Sequence, residues 1–243
     1  MMTVLTGHQP LYLPWLGFFH KVAMSDVYVF MDDVQFINED YIHRNKIKGP
    51  TGWVWLTVPV LSKDHLDKTI REMNIDNKKM WNKKHWKSIY YNYSKAPYFE
   101  SHADFFEKTY KKKWDKIADL DEYLLKYLFK ELGISTKFVK ASEQNFEGKK
   151  SERILDMCTK LGADAFVFGK MGMDYADIKS FEGKNIKVYF QNYKHPTYQQ
   201  LYGEFISHLS IVDLLFCHGE KSRDILMEGN PTREDLIKML GSK

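Results

Sequence analysis

The segment Val27-Tyr28-Val29-Phe30-Met31 has no polar break and stops abruptly at Asp32-Asp33. A strand with one face in water alternates apolar and polar residues. A strand without that alternation is buried on both faces. Helices must then cover both sides of the sheet that holds it, which points to an α/β chain with a largely parallel sheet.

The remaining pattern fits that frame. Residues 3–6 read as a first strand ending at Gly7, followed by a helix over 11–24 that carries Leu16, Phe19, Val22 and Ala23 and is entered through Pro14. Residues 53–60 alternate, with Trp53, Trp55 and Thr57 on one face, and Pro59 marks a strand end. The middle of the chain is helical. Trp81, His85, Ser88 and Asn92 share one face, and Leu120, Leu124, Tyr127 and Leu128 continue a helix to Gly133. Lys111-Lys112-Lys113 reads as a solvated helix face. Strand and helix then alternate again. Strands are expected at 137–141, 165–168 and 186–190. Between them come a helix capped by Ser151 and closed by Gly162, and a short helix over 174–181. Two short tail helices follow, the second opened by Pro231-Thr232 with Asp235 three residues on. The expected architecture is a Rossmann-like α/β domain over 1–219 with a helical insertion at about 76–133, then a helical tail over 220–243.

Composition narrows the functional classes. The net charge of +4 is well short of a dedicated nucleic-acid binder, yet compatible with an anionic small molecule. Cys158 and Cys217 have no metal-site spacing and read as buried thiols of a reducing cytosol. The N-terminus lacks the basic and apolar regions of a signal peptide, and no run approaches the roughly 20 apolar residues of a membrane span. A cytoplasmic protein without membrane insertion is therefore expected. No metal is predicted, although Asp32-Asp33 leaves one open, and the oligomeric state, homo-oligomer included, also stays open.

Polar residues gather at the ends of the apolar segments, where α/β proteins keep their chemistry. Gly7-His8-Gln9-Pro10 joins the first strand to a helix, so that a ligand could approach the backbone and His8 could act as a base or bond a phosphate. The simpler reading is a polar turn. Asp32 and Asp33 could accept from ribose hydroxyls or hold a substrate ammonium, or simply satisfy a turn. Being adjacent, they point apart. Gln35 lies close by. His43-Arg44-Asn45-Lys46-Ile47-Lys48 is the densest basic cluster and would suit a nucleotide diphosphate; the bland alternative is a solvated loop. Gly169-Lys170-Met171-Gly172 sits between strand and helix without matching a Walker loop or GxGxxG. His195 and His208 are further acid/base candidates. Ser210 with Asp213 reads as a reciprocal helix cap rather than part of a triad.

Several strings together resemble the WbqC-like protein family. They are His8-Gln9-Pro10-x-Tyr12-x-Pro14-Trp15-x-Gly17-Phe18-Phe19-x-Lys21, Asp32-Asp33-Val34-Gln35-Phe36, Arg44-Asn45-Lys46-Ile47-Lys48 and Trp55-Leu56-Thr57-Val58-Pro59, with later matches at His195-Pro196-x-Tyr198-x-Gln200 and 208–215. The resemblance implies a role in O-antigen or other bacterial surface-polysaccharide biosynthesis, on a nucleotide-linked amino sugar. A weaker similarity of Gly7-x-Gln9-Pro10 to HIGH-type nucleotidyltransferases places Tyr12 and Trp15 where two phosphate-handling histidines would stand.

The expected enzyme is an N-acyl transferase acting on the sugar amino group, with an acyl donor still to be identified. His8 is the expected base, with His195 or His208 as alternatives. Asp32 or Asp33 would orient the sugar. Arg44, Lys46 and Lys48 would hold the diphosphate, and Trp55 would flank base or sugar. Gln9, Tyr12, Gln35, Asn45 and Tyr198 complete the substrate-binding set. An ATP-dependent ligase or nucleotidyltransferase, and a non-catalytic binding protein of a glycan-precursor pathway, are the alternatives.

Overall fold

The computed structural model describes residues 2–38, 40–63 and 65–241. The chain runs β1 (Val4–His8), α1 (Leu16–Ala23), β2 (Val27–Phe30), β3 (Arg44–Gly49) and β4 (Gly52–Thr57). It continues through α2 (Trp81–Tyr93), α3 (Phe99–Lys111), α4 (Ile117–Glu131), β5 (Lys137–Lys140), α5 (Lys150–Lys160) and β6 (Ala165–Phe168). It ends with α6 (Ile178–Glu182), β7 (Lys187–Phe190), α7 (Ile211–His218), α8 (Ser222–Met227) and α9 (Arg233–Gly241).

Five strands form one sheet in the order β5-β2-β1-β6-β7, every pairing parallel. The fold is α/β and Rossmann-like. The chain builds outward from β1 through β2 to β5, then returns to the other side of β1 for β6 and β7. The order therefore reverses between β1 and β6, and open parallel sheets bind ligands beside the carboxyl ends of the strands at such a point.

The unbroken run at 27–31 is buried as its pattern requires. Tyr28 and Phe30 pack on one face of the sheet with Leu16, Phe18, Phe19 and Val22 of α1 and with Leu125 and Phe129 of α4. Val29 packs on the other face with Leu5, Phe166 and Ile154, Met157 and Cys158 of α5. Gly133 (φ +60°) and Gly162 (φ +64°) end α4 and α5 in the left-handed region that favours glycine.

Three local expectations change, and one open alternative is decided. The first helix starts at Leu16 rather than Leu11, because Leu13 turns left-handed (φ +47°) and its carbonyl accepts from Asn45 Nδ2 at 2.6 Å. The Pro14 carbonyl is likewise taken, by the Ile211 N–H at 2.8 Å. A left-handed residue breaks the run of helical φ/ψ, and the two carbonyls that would open the helix are aimed at tertiary donors instead. The basic cluster is strand β3, paired antiparallel with β4, rather than a loop. Ser151 does not cap α5: Lys149 precedes the helix, and the Ser151 hydroxyl accepts from the Asp177 N–H at 2.8 Å. Residues 174–181 divide into a 3₁₀ turn over Lys170–Asp174 and α6, which Asp177 caps. At the tail, Thr232 and Asp235 form the reciprocal cap read from the sequence.

Candidate active site at the carboxyl edge of the sheet

β1 ends at His8, beside the end of β2 (His8 opposite Phe30) and the end of β6 (Thr6 opposite Val167). His8 is half-buried, with its ring edge-on to Phe18 at 5.6 Å and to Trp15 at 6.2 Å. Its Nδ1 lies 2.9 Å from the Gln9 carbonyl. A carbonyl can only accept, so Nδ1 carries the proton and Nε2 presents a lone pair. Burial, and secondarily the Lys21 ammonium, push the His8 pKa down to about 3, so the ring is neutral at physiological pH.

Lys21 comes from α1 and is 4% exposed. Its ammonium donates to the Gly7 carbonyl at 3.2 Å, and among the described residues no carboxylate lies within 4.0 Å of it. Burial pushes its pKa down to about 8. The sequence reading did not single out Lys21. The available signal was a lysine three residues after Phe18 and next to Val22, on the apolar stripe of a short helix.

A row of rings leads away from His8. Trp15 meets Tyr41 at 5.4 Å, Tyr41 meets Trp55 at 6.0 Å, and Trp55 meets Trp53 at 5.7 Å. Each of these rings is half-buried or exposed. Cations lie over the far end of the row: Arg44 Cζ is 4.9 Å from the Trp55 ring, and Lys46 Nζ is 4.6 Å from Trp53. The pairing of β3 with β4 explains this, because Lys46 stands opposite Trp55 and side chains opposite each other share a face.

Other expected residues lie elsewhere or are already engaged. Asp32 is buried, and its carboxylate accepts from the Ser142 N–H (3.0 Å) and hydroxyl (2.7 Å), tying β2 to the turn after β5. Asp33 forms an ion pair with Arg153 of α5. The two carboxylates point to different partners and do not face a common site. Gln9 donates to Asp40 at 2.7 Å, and Gln35 to the Leu66 carbonyl at 2.6 Å. Tyr12 is fully buried, its hydroxyl bonded to His85 and Tyr110, so it cannot meet a ligand without unpacking the core. Asn45 is buried and holds the Leu13 carbonyl. Lys48 is buried, its ammonium bonded to the Glu204 carbonyl, which separates it from Arg44 and Lys46.

His195 and His208 meet at 5.0 Å between ring centroids. His195 Nδ1 donates to the Pro196 carbonyl, and its Nε2 accepts the His208 N–H at 3.2 Å, so both ring nitrogens are engaged. Burial and His208 lower its pKa. His208 is exposed, with Nδ1 2.8 Å from the Ser207 hydroxyl. The buried Tyr198 ring stacks on His195 at 6.3 Å. This loop reaches the aromatic row through the backbone: the Ser210 N–H donates to the Lys46 carbonyl, and Ser210 bridges Trp15. Ser210 caps α7 through the Val212 N–H, but Asp213 does not reciprocate. It accepts from Tyr93 and Gln200 instead.

Two surface hollows, of about 560 and 330 Å³, lie between β7 and α9 and beside β5. Neither includes His8 or Lys21. Among the described residues no group of three His, Cys, Asp or Glu side chains could hold a metal ion. No described helix is long and apolar enough to cross a membrane.

The fold and this edge define an α/β protein of the doubly wound kind, with a basic and aromatic site at its strand ends. The WbqC-like protein family matches residues 9–225, and the chain belongs to that family. It is 34% identical over 217 residues to the uncharacterized protein Rv1507c of Mycobacterium tuberculosis (strain ATCC 25618 / H37Rv), spanning 88% of this chain and 94% of the relative. No solved structure matches it. Family membership suggests a role in polysaccharide-related biosynthesis.

Proposed function

We propose that this protein is a cytoplasmic transferase that acylates the amino group of a nucleotide-linked sugar during surface-polysaccharide synthesis. One observation carries the reading. A neutral histidine with an open Nε2 is joined by the Trp15–Tyr41–Trp55 row to two cations lying over tryptophan rings. In acyl transfer to an amine the N–C bond forms as the bond from the acyl carbon to its donor group breaks, the donor group leaving with that electron pair; in this reading His8 Nε2 takes the amine proton. A nucleotide diphosphate needs charge and a flat partner. Arg44 and Lys46 offer the charge, and Trp53 and Trp55 the face for base or sugar.

The nucleotidyl-transfer alternative is weaker. Tyr12, which stands in place of one phosphate-handling histidine, is sealed in the core, and Trp15 has no ionisable group. The test is mass spectrometry of reactions with a panel of nucleotide-linked amino sugars and activated acyl donors. Acylated product is expected from the wild type, with turnover down about a hundredfold or more in His8→Ala. Sugar binding without a new mass under any donor would leave a binding protein instead.

A further inference from the structure

Lys21 has an unresolved charge balance. A lysine ammonium carries three donors, and among the described residues this one spends a single donor, on the Gly7 carbonyl. It is 4% exposed and, among the described residues, has no carboxylate within salt-bridge distance. Burying a charge without a partner costs several kcal/mol, so proteins rarely keep one in a purely structural place. Arg233 shows the ordinary solution in this same molecule: it reaches Asp26 through two bonds, at 2.8 and 2.9 Å.

The position of Lys21 adds a second argument. Its ammonium sits at the last turn of β1, on the side where the strand order reverses toward β6. The first turn of α1 also faces this end of the strand through Trp15 and Phe18, which touch the His8 ring. That turn has no side-chain cap and no acidic residue. The Phe18 N–H is taken by the Trp15 carbonyl, and the positive end of the helix dipole favours an anion there. His8, half-buried beside Lys21, offers an acceptor at Nε2 for a hydroxyl or amine on the same ligand.

We propose that Lys21 and His8 form an oxyanion-binding subsite at the end of β1. Lys21 Nζ takes a phosphate or carboxylate oxygen of the ligand, and His8 Nε2 accepts from a donor next to it. The subsite is distinct from the Arg44–Lys46 face and does not depend on the ligand being a nucleotide sugar. An anion on Lys21 also removes the cationic neighbour that helps hold His8 neutral, so ligand binding raises the basicity of His8. The subsite thereby couples ligand capture to the readiness of the base.

The experiment titrates inorganic pyrophosphate, inorganic phosphate and acetate into the full chain, at constant ionic strength set with sodium chloride. Binding is followed by melting temperature and by the His8 ring resonances. The phosphate and acetate arms separate a phosphoryl from a carboxyl source. Saturable binding of at least one anion is expected, with a rise in the His8 pKa. Lys21→Met should weaken that binding tenfold or more and abolish the His8 response, while melting at or above the wild-type temperature. Lys21→Gln serves as a second neutral variant.

The proposal is overturned if no anion binds, or if Lys21→Met binds as tightly as wild type. It also fails if both neutral variants melt well below wild type, since the ammonium would then be structural. Nucleotide-sugar acylation can fail while this subsite stands, because the probes are simple anions and the readouts do not require turnover.

Discussion

The ends of β1 and β2 are neighbours in the sheet, yet they treat their polar residues in opposite ways. At the end of β2, Asp32 is bonded twice to Ser142 and Asp33 is paired with Arg153. Both carboxylates hold the fold together. At the end of β1, His8 keeps an open nitrogen and Lys21 keeps two donors without partners among the described residues. Sequence made the acidic pair look at least as chemical as the histidine. The difference teaches that position at a strand end is necessary for a site but not sufficient. What distinguishes the end of β1 is a buried ammonium to which no described residue brings a counter-charge, whereas at the end of β2 the charges are paired.

The largest expected effect comes from acid. Burial pushes the pKa of His8 to about 3, and those of His20 and His85 to about 4, from an ordinary 6.5. Below pH 6.5 the unfolded chain takes up protons that the fold refuses, so stability falls as pH falls. Each group contributes about 1.4 kcal/mol per pH unit until its folded value is reached. Denaturant melts at pH 6.5, 5.5 and 4.5 should show this loss, and the slope should be shallower in His8→Ala. A flat profile would mean that the end of β1 does not hold a neutral imidazole.

Next in size is Asp33→Ala, which leaves the Arg153 guanidinium partly buried without its counter-charge. A cost of about 2–4 kcal/mol is expected in a urea melt. Lys21→Met should show no such loss, and the contrast between the two variants tests the comparison directly. If Asp33→Ala were neutral, the two strand ends would be alike after all.

The smallest effect is expected in a third region. Asp121 on α4 is fully buried with neither carboxylate oxygen bonded to a described residue, and burial raises its pKa well above the usual carboxylate range. It is therefore a neutral acid, close to Tyr12, Tyr28 and Tyr110. Asp121→Asn should change stability by no more than about 1 kcal/mol, because one neutral polar group replaces another. A larger loss would mean the carboxyl is ionised.

Much of the sheet was legible because its signals are local. The unbroken run at 27–31, the strand at 165–168 and the helix ends at Gly133 and Gly162 depend on burial and backbone conformation that a few residues specify. The basic cluster was legible as a group but not as strand β3. Its pairing with the tryptophans of β4 makes Arg44 and Lys46 a platform and buries Lys48. The Ser151 and Asp213 readings failed for one reason. A serine or aspartate near a helix start can cap it or bond across the fold, and partners distant in sequence decided both cases.

Local pattern was thus enough for the α/β class and the main strands, since periodicity and turn residues act over short spans; the family rested on the resemblance of particular residue strings. Only the packed chain could separate Asp32 and Asp33 from His8, and only it could bring Lys21 to light. A charged side chain in a sequence carries no record of its counter-ion. Whether it finds one depends on which distant segments fold against it, and for Lys21 none of the described segments brings a carboxylate within reach.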